Sequence, residues 1–593
     1  MSDKEELLGI EDVDLDDDLE DDSEVEFEFP LKNVVGGESR SSNQEDQNNV
    51  TIDEYLIKTG ECGKYQIIMV FLMGFAMIPM SFPPLIFYYI GYDPPWSCTA
   101  NVSHPNGTFC TTHNASQLFK HTENDRCSLN QGEWHYMNHG RSSVVTEFNL
   151  VCKDAWLDAL TGSIVFVGWG IGILTLGYLS DQYGRKKILY PAMLLTLLAL
   201  MAHAFVTSIW QLLVVRFIMG FVYSGPALNH YILSTEIVGP NRRALASTLS
   251  SCAWPIGAFL MTIKAYYLNN WRHLALFSSV PYMFGLITCI CVPESFRWLH
   301  VKGRTAEAEK ILQKASKCNN TNFINDLSLE KYQNSSQEKA KKVSYLVLFK
   351  SCKLFVMMIS QAFIWFNSGM VYYALSWAFS DLGGNMYLNF VWSTLIELPG
   401  ALISYFLLNF IGRKKTCIII YLLTGLFCLV VTCIPESEKV ARLVFGLLGK
   451  LMASAGFMSI YMWSSEIYPT CLRTQGMGIN IVTSRAGAAT SPFIKLLNRI
   501  HPAAPFGLMT TTCFISMLLA FVLPETFRKP TRETLDDIYQ DNKTYTHKIH
   551  FASFTQEDGG GDEGMVRIDG NENDEDIEDT EHLLASPGDY AIA

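Results

Sequence analysis

Gly177-Tyr-Leu-Ser-Asp181-Gln-Tyr-Gly184-Arg185-Lys186-Lys187 decides the fold, because part of this stretch occurs twice. Gly184-Arg-Lys-Lys187 recurs as Gly412-Arg-Lys-Lys415, about 230 residues later. Two further motifs recur in the same order and at nearly the same offset: a Glu seven residues before an Arg (Glu236 and Arg243, then Glu466 and Arg473) and Pro-Glu-Ser/Thr-Phe-Arg (from Pro293, then from Pro524). Three short matches that keep their order predict a duplicated unit of the chain.

The apolar residues around these motifs fall in runs that are long enough to cross a bilayer. The chain has 593 residues, of which 49% are hydrophobic, and a membrane helix needs about twenty mostly apolar residues. Twelve runs qualify, and we number them spans 1 to 12: 66–90, 158–180, 188–207, 210–233, 244–265, 273–292, 353–376, 387–411, 416–434, 441–464, 473–496 and 505–523. Because the repeat assigns six spans to each half, the sequence predicts an all-α integral membrane protein with twelve transmembrane helices in two pseudo-symmetric six-helix bundles.

Charge predicts the arrangement across the membrane. Lys and Arg concentrate in alternate connections, which is typical of cytoplasmic loops and places both termini in the cytoplasm. The formal net charge of −14 comes mostly from two acidic tails that cannot bury a core. We therefore expect five regions: a disordered acidic tail (1–60), the first bundle (61–292), a cytoplasmic linker with amphipathic helices (293–352), the second bundle (353–525) and another disordered acidic tail (526–593). Nothing in this pattern indicates nucleic-acid binding.

The long connection 91–154 is predicted to face outward or into a lumen. It holds three clustered glycosylation sequons, at Asn101, Asn106 and Asn114. It also holds four cysteines, Cys98, Cys110, Cys127 and Cys152, and four cysteines in an oxidising compartment favour two disulfides. Three pairings are open, and the sequence does not choose among them.

The repeated motifs carry charges that fit a cytoplasmic gate. Asp181 and Arg185 are expected to contact the neighbouring half and to hold an outward-facing state. The second copy has Asn409 in place of Asp181, so its latch is weaker or absent. An acid at the end of a membrane helix favours a charged partner, so we also expect Glu236 with Arg243, and Glu466 with Arg473, to belong to this gate, together with Arg413. The alternatives are a plain positive-inside loop and ordinary helix-end charge.

The stretch from Gly177 resembles the signature loop of the major facilitator superfamily, and the duplicated six-helix unit fits the major facilitator fold. Four further stretches resemble the organic cation, anion and carnitine transporters: Thr146-Glu-Phe-Asn-Leu-Val-Cys152, Pro293-Glu-Ser-Phe-Arg-Trp-Leu299, Gly383-Gly-Asn-Met-Tyr-Leu-Asn389 and Glu466-Ile-Tyr-Pro-Thr470. A large Cys-rich loop after the first span is also typical of that family. The resemblance runs from about Ile52 to Thr534.

Two ionisable residues within the spans are candidates for the substrate site, since such residues are usually functional. Glu397 lies in span 8 and Arg485 in span 11. The resemblance relates the acid to cation- and carnitine-handling members, and the arginine to anion- and carnitine-handling members. Having both suits a zwitterion, whose carboxylate would bind Arg485 through paired hydrogen bonds and whose ammonium would lie near Glu397. The alternative is a structural ion pair between the two side chains.

Tyr372, Tyr461 and Trp254 are the aromatic residues expected to complete a cation site, because an ammonium group is attracted to the face of an aromatic ring. The predicted function is alternating-access transport of small organic cations or carnitine-like zwitterions. The alternatives are an organic anion exchanger and a transporter-like sensor that no longer translocates. No enzyme, cofactor or metal site is expected, and proton-coupled, sodium-coupled and uniport modes all stay open.

The two tails carry acidic dileucine patterns, ending in Leu7-Leu8 and in Leu583-Leu584. Such patterns resemble sorting signals that clathrin adaptors read on cytosolic tails. They point to a multi-pass protein of the plasma membrane that is internalised, with endosomal or lysosomal residence as the alternative.

Overall fold

The computed structural model describes residues 56–99, 102–103, 109–110, 126–127, 129–130, 132–137, 140–239, 242–321, 352–379, 385–435 and 437–527. All of them belong to one compact unit that begins at Thr51. The dileucine patterns and the sequons at Asn101, Asn106 and Asn114 lie outside the described residues.

Each predicted span of the first half coincides with helix. Span 1 is broken into Lys64–Met77, a 3₁₀ turn Ile78–Ser81, Phe82–Leu85 and Phe87–Ile90. Prolines at 79, 83 and 84 explain the break, because proline removes the backbone N–H that an α-helix needs. Spans 2 to 6 are the helices Ala155–Tyr183, Arg185–His203, Ile209–Glu236, Arg243–Tyr267 and Trp271–Cys291.

The second half repeats this pattern. Spans 7 to 12 are Cys352–Ala378, the pair Met386–Leu395 and Glu397–Phe410, then Arg413–Cys433, Lys439–Ile467, Thr470–Leu496 and Ala504–Val522. Nine of the described helices are long and apolar enough to cross a membrane. Their outward side chains include apolar groups as exposed as Phe71 (75%) and Phe410 (79%), which suits contact with lipid rather than water.

A linker helix docks beneath span 1. Short helix Phe296–Val301 leads into Thr305–Asn319, as the amphipathic pattern predicts. The Asn319 amide donates to the Thr59 carbonyl and to Gln66 Oε1, both at 2.8 Å, and accepts from the Tyr65 N–H at 2.9 Å. One half-buried amide thus fixes the end of the linker helix to the start of the first span.

The 91–154 connection contains short antiparallel strands and one disulfide among its described residues. Strand β1 (Trp96–Cys98) pairs with β4 (Trp134–Tyr136), and β2 (Val102–Ser103) pairs with β3 (Phe109–Cys110). Cys127 is bonded to Cys152, a pair that the sequence left open; the side chains of Cys98 and Cys110 are not among those described.

Arg126, next to this disulfide, anchors the connection to the end of span 1. Its guanidinium donates to both carboxylate oxygens of Asp93, at 3.2 and 2.8 Å, and its side chain is 1% exposed. It also lies over the rings of Trp134 and Tyr136. Burial and the nearby Asp93 carboxylate raise the pKa of Tyr136 to about 12, so this phenol stays neutral.

The two copies of Gly-Arg-Lys-Lys adopt the same local structure. Gly184 and Gly412 have φ of +118° and +99°, values that glycine adopts with little strain. In each copy the first helical N–H groups point at a carboxylate of the Pro-Glu motif: the Lys186 N–H donates to Glu294 at 3.0 Å and the Arg413 N–H to Glu525 at 3.0 Å. A carboxylate at a helix N-terminus is favourable, which explains why these motifs recur together.

The halves meet at the side of the 91–154 connection, which we call the loop side. The end of span 1 packs its aromatic residues on spans 7 and 8: Phe87 on Trp377 at 5.5 Å between centroids and Tyr89 on Tyr387 at 5.8 Å. The Tyr88 hydroxyl donates to the Met386 carbonyl at 3.2 Å. This aromatic seal closes the loop side.

Candidate substrate site

Three polar side chains of the second half converge in mid-membrane. The Tyr372 hydroxyl donates to Glu397 Oε1 at 2.6 Å, and Lys450 Nζ lies 3.3 Å from the same oxygen. The ammonium also donates to the Tyr372 carbonyl (3.0 Å) and to Ser376 Oγ (2.7 Å). Both charges are withdrawn from solvent, since the Lys450 side chain is 1% exposed and that of Glu397 12%.

A break in span 8 positions Glu397. Its first segment ends at Leu395 and the second begins at Glu397. Pro399 accounts for the break, because its ring clashes with the carbonyl four residues earlier. Glu397 therefore lies in the first turn of the second segment, where the helix dipole favours a carboxylate.

Close helix packing positions Arg485. At Gly487, an added Cβ would lie 1.9 Å from the Phe366 carbonyl oxygen, so only glycine lets span 11 approach span 7 this closely. Arg485 is 8% exposed, and its guanidinium lies over the Trp169 ring of span 2, 3.6 Å from the centroid. The guanidinium of one half thus rests on an aromatic face of the other.

Aromatic side chains connect the two charged groups. Tyr373 lies near both Arg485 and Glu397 and packs on Phe166 at 4.6 Å. Trp169 meets Tyr223 edge-on at 4.6 Å. The cluster is an aromatic chamber with a cation at one wall and an ion pair at another.

The structure brings the predicted site residues together. Glu397 and Tyr372 are hydrogen-bonded, Trp254 lies beside the Tyr372 hydroxyl, and Tyr461 lies near Arg485. The alternative pairing of Glu397 with Arg485 is not what the structure shows, because Lys450 is the ion-pair partner of Glu397.

Lys450 is the residue for which the sequence gives no role. The sequence does mark this residue, since a lysine in the middle of an apolar run is unusual. Its ion-pair partner could not be predicted, because it depends on how spans 8 and 10 pack. Trp169 carried no signal that separates it from packing aromatics, whereas Tyr373 lies in an aromatic run of span 7 that the sequence offers for a cation site.

The predicted gate residues gather at the end of each half opposite the loop side. Arg413 forms a bidentate pair with Glu466 (Nη2 to Oε1 2.8 Å, Nε to Oε2 3.0 Å), and the Thr526 hydroxyl donates to the same carboxylate at 2.6 Å. Arg413 is thus an ion-pair partner of Glu466, and the contact of Glu466 with Arg473 stays a prediction.

The first half has the corresponding cluster. Arg185 pairs with Asp181, and Glu236 lies near Arg185 and the Ser295 hydroxyl, while Arg243 begins span 5. These described contacts all fall within one half. The predicted latch would join the two halves at this end of the protein. It stays a prediction, because the contacts between the halves described above lie at the loop side.

Comparison with known proteins matches this architecture. The family model described as "Sugar (and other) transporter" matches residues 112–536. Organic anion transporter 3 of Oryctolagus cuniculus is 31% identical, over 82% of this chain and 94% of the relative. The chain belongs to the organic ion transporters of the major facilitator superfamily.

Other relatives of this transporter carry different substrate names. The organic cation transporter protein of Drosophila melanogaster is 28% identical, over 82% of this chain and 94% of the relative. Among solved structures, the proton:xylose symporter XylE bound to 6-bromo-6-deoxy-D-glucose is similar with a TM-score of 0.57 and 16% identity, covering 79% of this chain and 98% of that one; this likeness shows the fold alone. The transporter is a multi-pass membrane protein and not an enzyme.

Proposed function

We propose that this transporter carries small organic anions, with the substrate carboxylate held by Arg485. The observation that carries the proposal is the charge balance of the chamber. Lys450 neutralises Glu397, whereas no carboxylate of the described chain forms an ion pair with Arg485, which faces the Trp169 ring. The chamber therefore holds one net positive charge, and a charge withdrawn from water favours a counterion of opposite sign.

The aromatic walls fit the rest of such a substrate. An apolar or aromatic body would lie among Phe166, Tyr223 and Tyr373, close to the guanidinium. A guanidinium can bind a carboxylate through two parallel hydrogen bonds. The Arg485 Nε has no hydrogen-bond partner in the described structure, so a carboxylate would satisfy it.

Zwitterions are the second candidate, supported by the surroundings of Lys450. Its ammonium lies 3.1 Å from the centroid of the Tyr372 ring and beside Glu397, which is the chemistry of an ammonium site already filled by the protein. A substrate ammonium that displaces Lys450 would find the same carboxylate and ring, while its carboxylate binds Arg485.

Uptake in cells separates these readings. Arg485→Gln should abolish transport of a monocarboxylate such as radiolabelled benzoate and leave the protein at the membrane. Glu397→Gln should spare benzoate uptake if the substrate is an anion, and should abolish uptake of radiolabelled carnitine if the substrate is a zwitterion. Benzoate uptake that survives Arg485→Gln would refute the anion proposal, and binding without flux in liposomes would indicate a sensor.

A further inference from the structure

Arg141 of the 91–154 connection contacts the second half at the aromatic seal. Its guanidinium lies over the Tyr387 ring, 4.9 Å from the centroid, and its Nη1 lies 3.8 Å from the Met386 sulfur. Both of these residues stand at the start of span 8. Because Arg141 belongs to the connection and is only half-buried, a solute on the loop side can reach its guanidinium while the seal is closed.

The backbone that follows Arg141 is fixed to the first half. The Ser142 N–H donates to the Asn269 carbonyl at 3.0 Å, in the turn between spans 5 and 6. A few residues later, the Glu147 carboxylate accepts from the indole N–H of Trp271 in span 6 at 2.6 Å. Arg141 must therefore move with the first half, and its contact with the start of span 8 joins the two halves.

Tyr387 is the residue of the second half that the first half holds most closely at this point. Besides stacking on Tyr89, its ring meets that of Tyr266 edge-on at 5.4 Å between centroids, and its hydroxyl donates to the Ala265 carbonyl at 3.2 Å. The first segment of span 8 runs from here to the break before Glu397. Opening of the loop side has to separate Tyr387 from the first half, and one short helix links that movement to the central chamber.

The charge of Arg141 is not neutralised by an ion pair with any carboxylate of the described chain. Two acids of the same connection are paired elsewhere, Asp93 with Arg126 and Glu147 with Arg272. A guanidinium has five N–H donors, and the acceptor that the structure shows for this one is a thioether sulfur, which accepts weakly. A carboxylate would be a far better partner, because it can take two parallel hydrogen bonds from a guanidinium.

We propose that Arg141 binds the carboxylate of an organic anion on the loop side and that this binding loosens the aromatic seal. The proposal rests on the proposed function, because it takes the cargo to be an anion. The attraction between a cation and an aromatic ring is electrostatic, so a carboxylate paired with the guanidinium weakens its hold on Tyr387. A ligand shifts a conformational equilibrium by binding one state better, and a guanidinium released from span 8 offers a carboxylate more free donors.

The first measurement follows the seal without transport. Ala374→Cys places a thiol at a buried position of the cavity that Trp377 lines behind the seal. It is made with Arg485→Gln, so that benzoate does not act through the central chamber, and with Cys433→Ser, because Cys433 is exposed. Cells with this parent protein at their surface receive a small, uncharged, membrane-impermeant maleimide, and the labelling rate at position 374 is measured by mass spectrometry with and without benzoate.

We expect benzoate to raise the labelling rate of the parent several-fold and its uncharged analogue benzamide to leave it unchanged. Adding Arg141→Gln, or Tyr387→Leu where the first variant does not reach the surface, should give fast labelling that no longer responds to benzoate. Lys153→Gln removes an exposed cation of the same connection that has no described contact with the second half, and it should behave as the parent. A parent that does not respond to benzoate, a response that survives Arg141→Gln or that benzamide reproduces, or slow labelling of Arg141→Gln without benzoate would overturn the inference.

The second measurement is benzoate uptake from the loop side by the transporter with Arg485 intact. Arg141→Gln should raise the KM for benzoate several-fold, because the first contact with the carboxylate is lost, whereas Lys153→Gln should leave the KM unchanged. Equal KM values in the two variants would contradict a role of Arg141 in binding cargo. Because the labelling rate does not depend on flux, a seal that responds to benzoate through Arg141 in a protein without benzoate uptake would reject the proposed function and not the anion site at Arg141.

Discussion

Replacing Lys450 by Gln tests the charge balance of the central chamber. The change leaves Glu397 with the Tyr372 hydroxyl and without its cation. At the observed 3.3 Å, the attraction between the two unit charges is about 5 kcal/mol at an effective dielectric constant of about 20. Removing one partner of a buried ion pair usually costs about 3–5 kcal/mol, because the other charge stays buried.

A double-mutant cycle isolates the pair. We expect Lys450→Gln and Glu397→Gln each to lower the thermal midpoint of the purified transporter in detergent. The double variant should recover most of the loss, because no uncompensated charge remains. If the two single losses simply add in the double variant, then Lys450 and Glu397 do not interact as the structure shows.

The same variants change selectivity in opposite directions. Lys450→Gln exposes the Glu397 carboxylate to substrate and cancels the net positive charge of the chamber. Benzoate uptake should therefore fall and uptake of a cationic substrate should rise, while the double variant with Glu397→Gln should regain benzoate uptake. Unchanged benzoate uptake in Lys450→Gln would refute the argument that net charge selects the cargo.

Three further predictions concern the scaffold. Gly184→Ala should cost about 1–2 kcal/mol, since φ is +118° and the new Cβ would lie 2.4 Å from a Glu294 oxygen, whereas Gly478→Ala, with open space around it, should not lower the thermal midpoint. Arg126→Gln should leave Asp93 without its bidentate partner and make the 91–154 connection more sensitive to trypsin on intact cells than in the parent. Asn319→Ala removes three hydrogen bonds and should lower the thermal midpoint, and an unchanged midpoint would show that the linker docks by other contacts.

The fold followed from sequence because its signals are local. Twelve apolar runs and three repeated motifs each report on a short stretch, and every predicted span coincides with helix in the structure. The break at Pro399 and the glycine turns at Gly184 and Gly412 are also local consequences of residue type. The disulfide of Cys127 with Cys152 was open because pairing depends on how a loop closes in space.

The sequence predicted which residues belong to the candidate site but not all of their contacts, because contacts between distant spans leave no local signal. Glu397 and Arg485 stand out because charge within an apolar run is costly, but which groups face each other depends on the packing of spans that are distant in sequence. A lysine in the apolar run of span 10, at position 450, is as costly as the glutamate at position 397 in span 8. Only the structure shows that the two belong together, and this contact moves the expected cargo from cations towards anions.

The two halves repeat their scaffold and divide their chemistry. Glu294 accepts from the Lys186 N–H and Glu525 from the corresponding Lys414 N–H. The described charges of the chamber belong to the second half, whereas Trp169, the ring under Arg485, belongs to the first. A guanidinium over an aromatic face gains up to about 2 kcal/mol when desolvated. A substrate carboxylate that draws Arg485 away from Trp169 would weaken a contact that joins the halves, so occupancy of the site and separation of the halves would be coupled through one side chain.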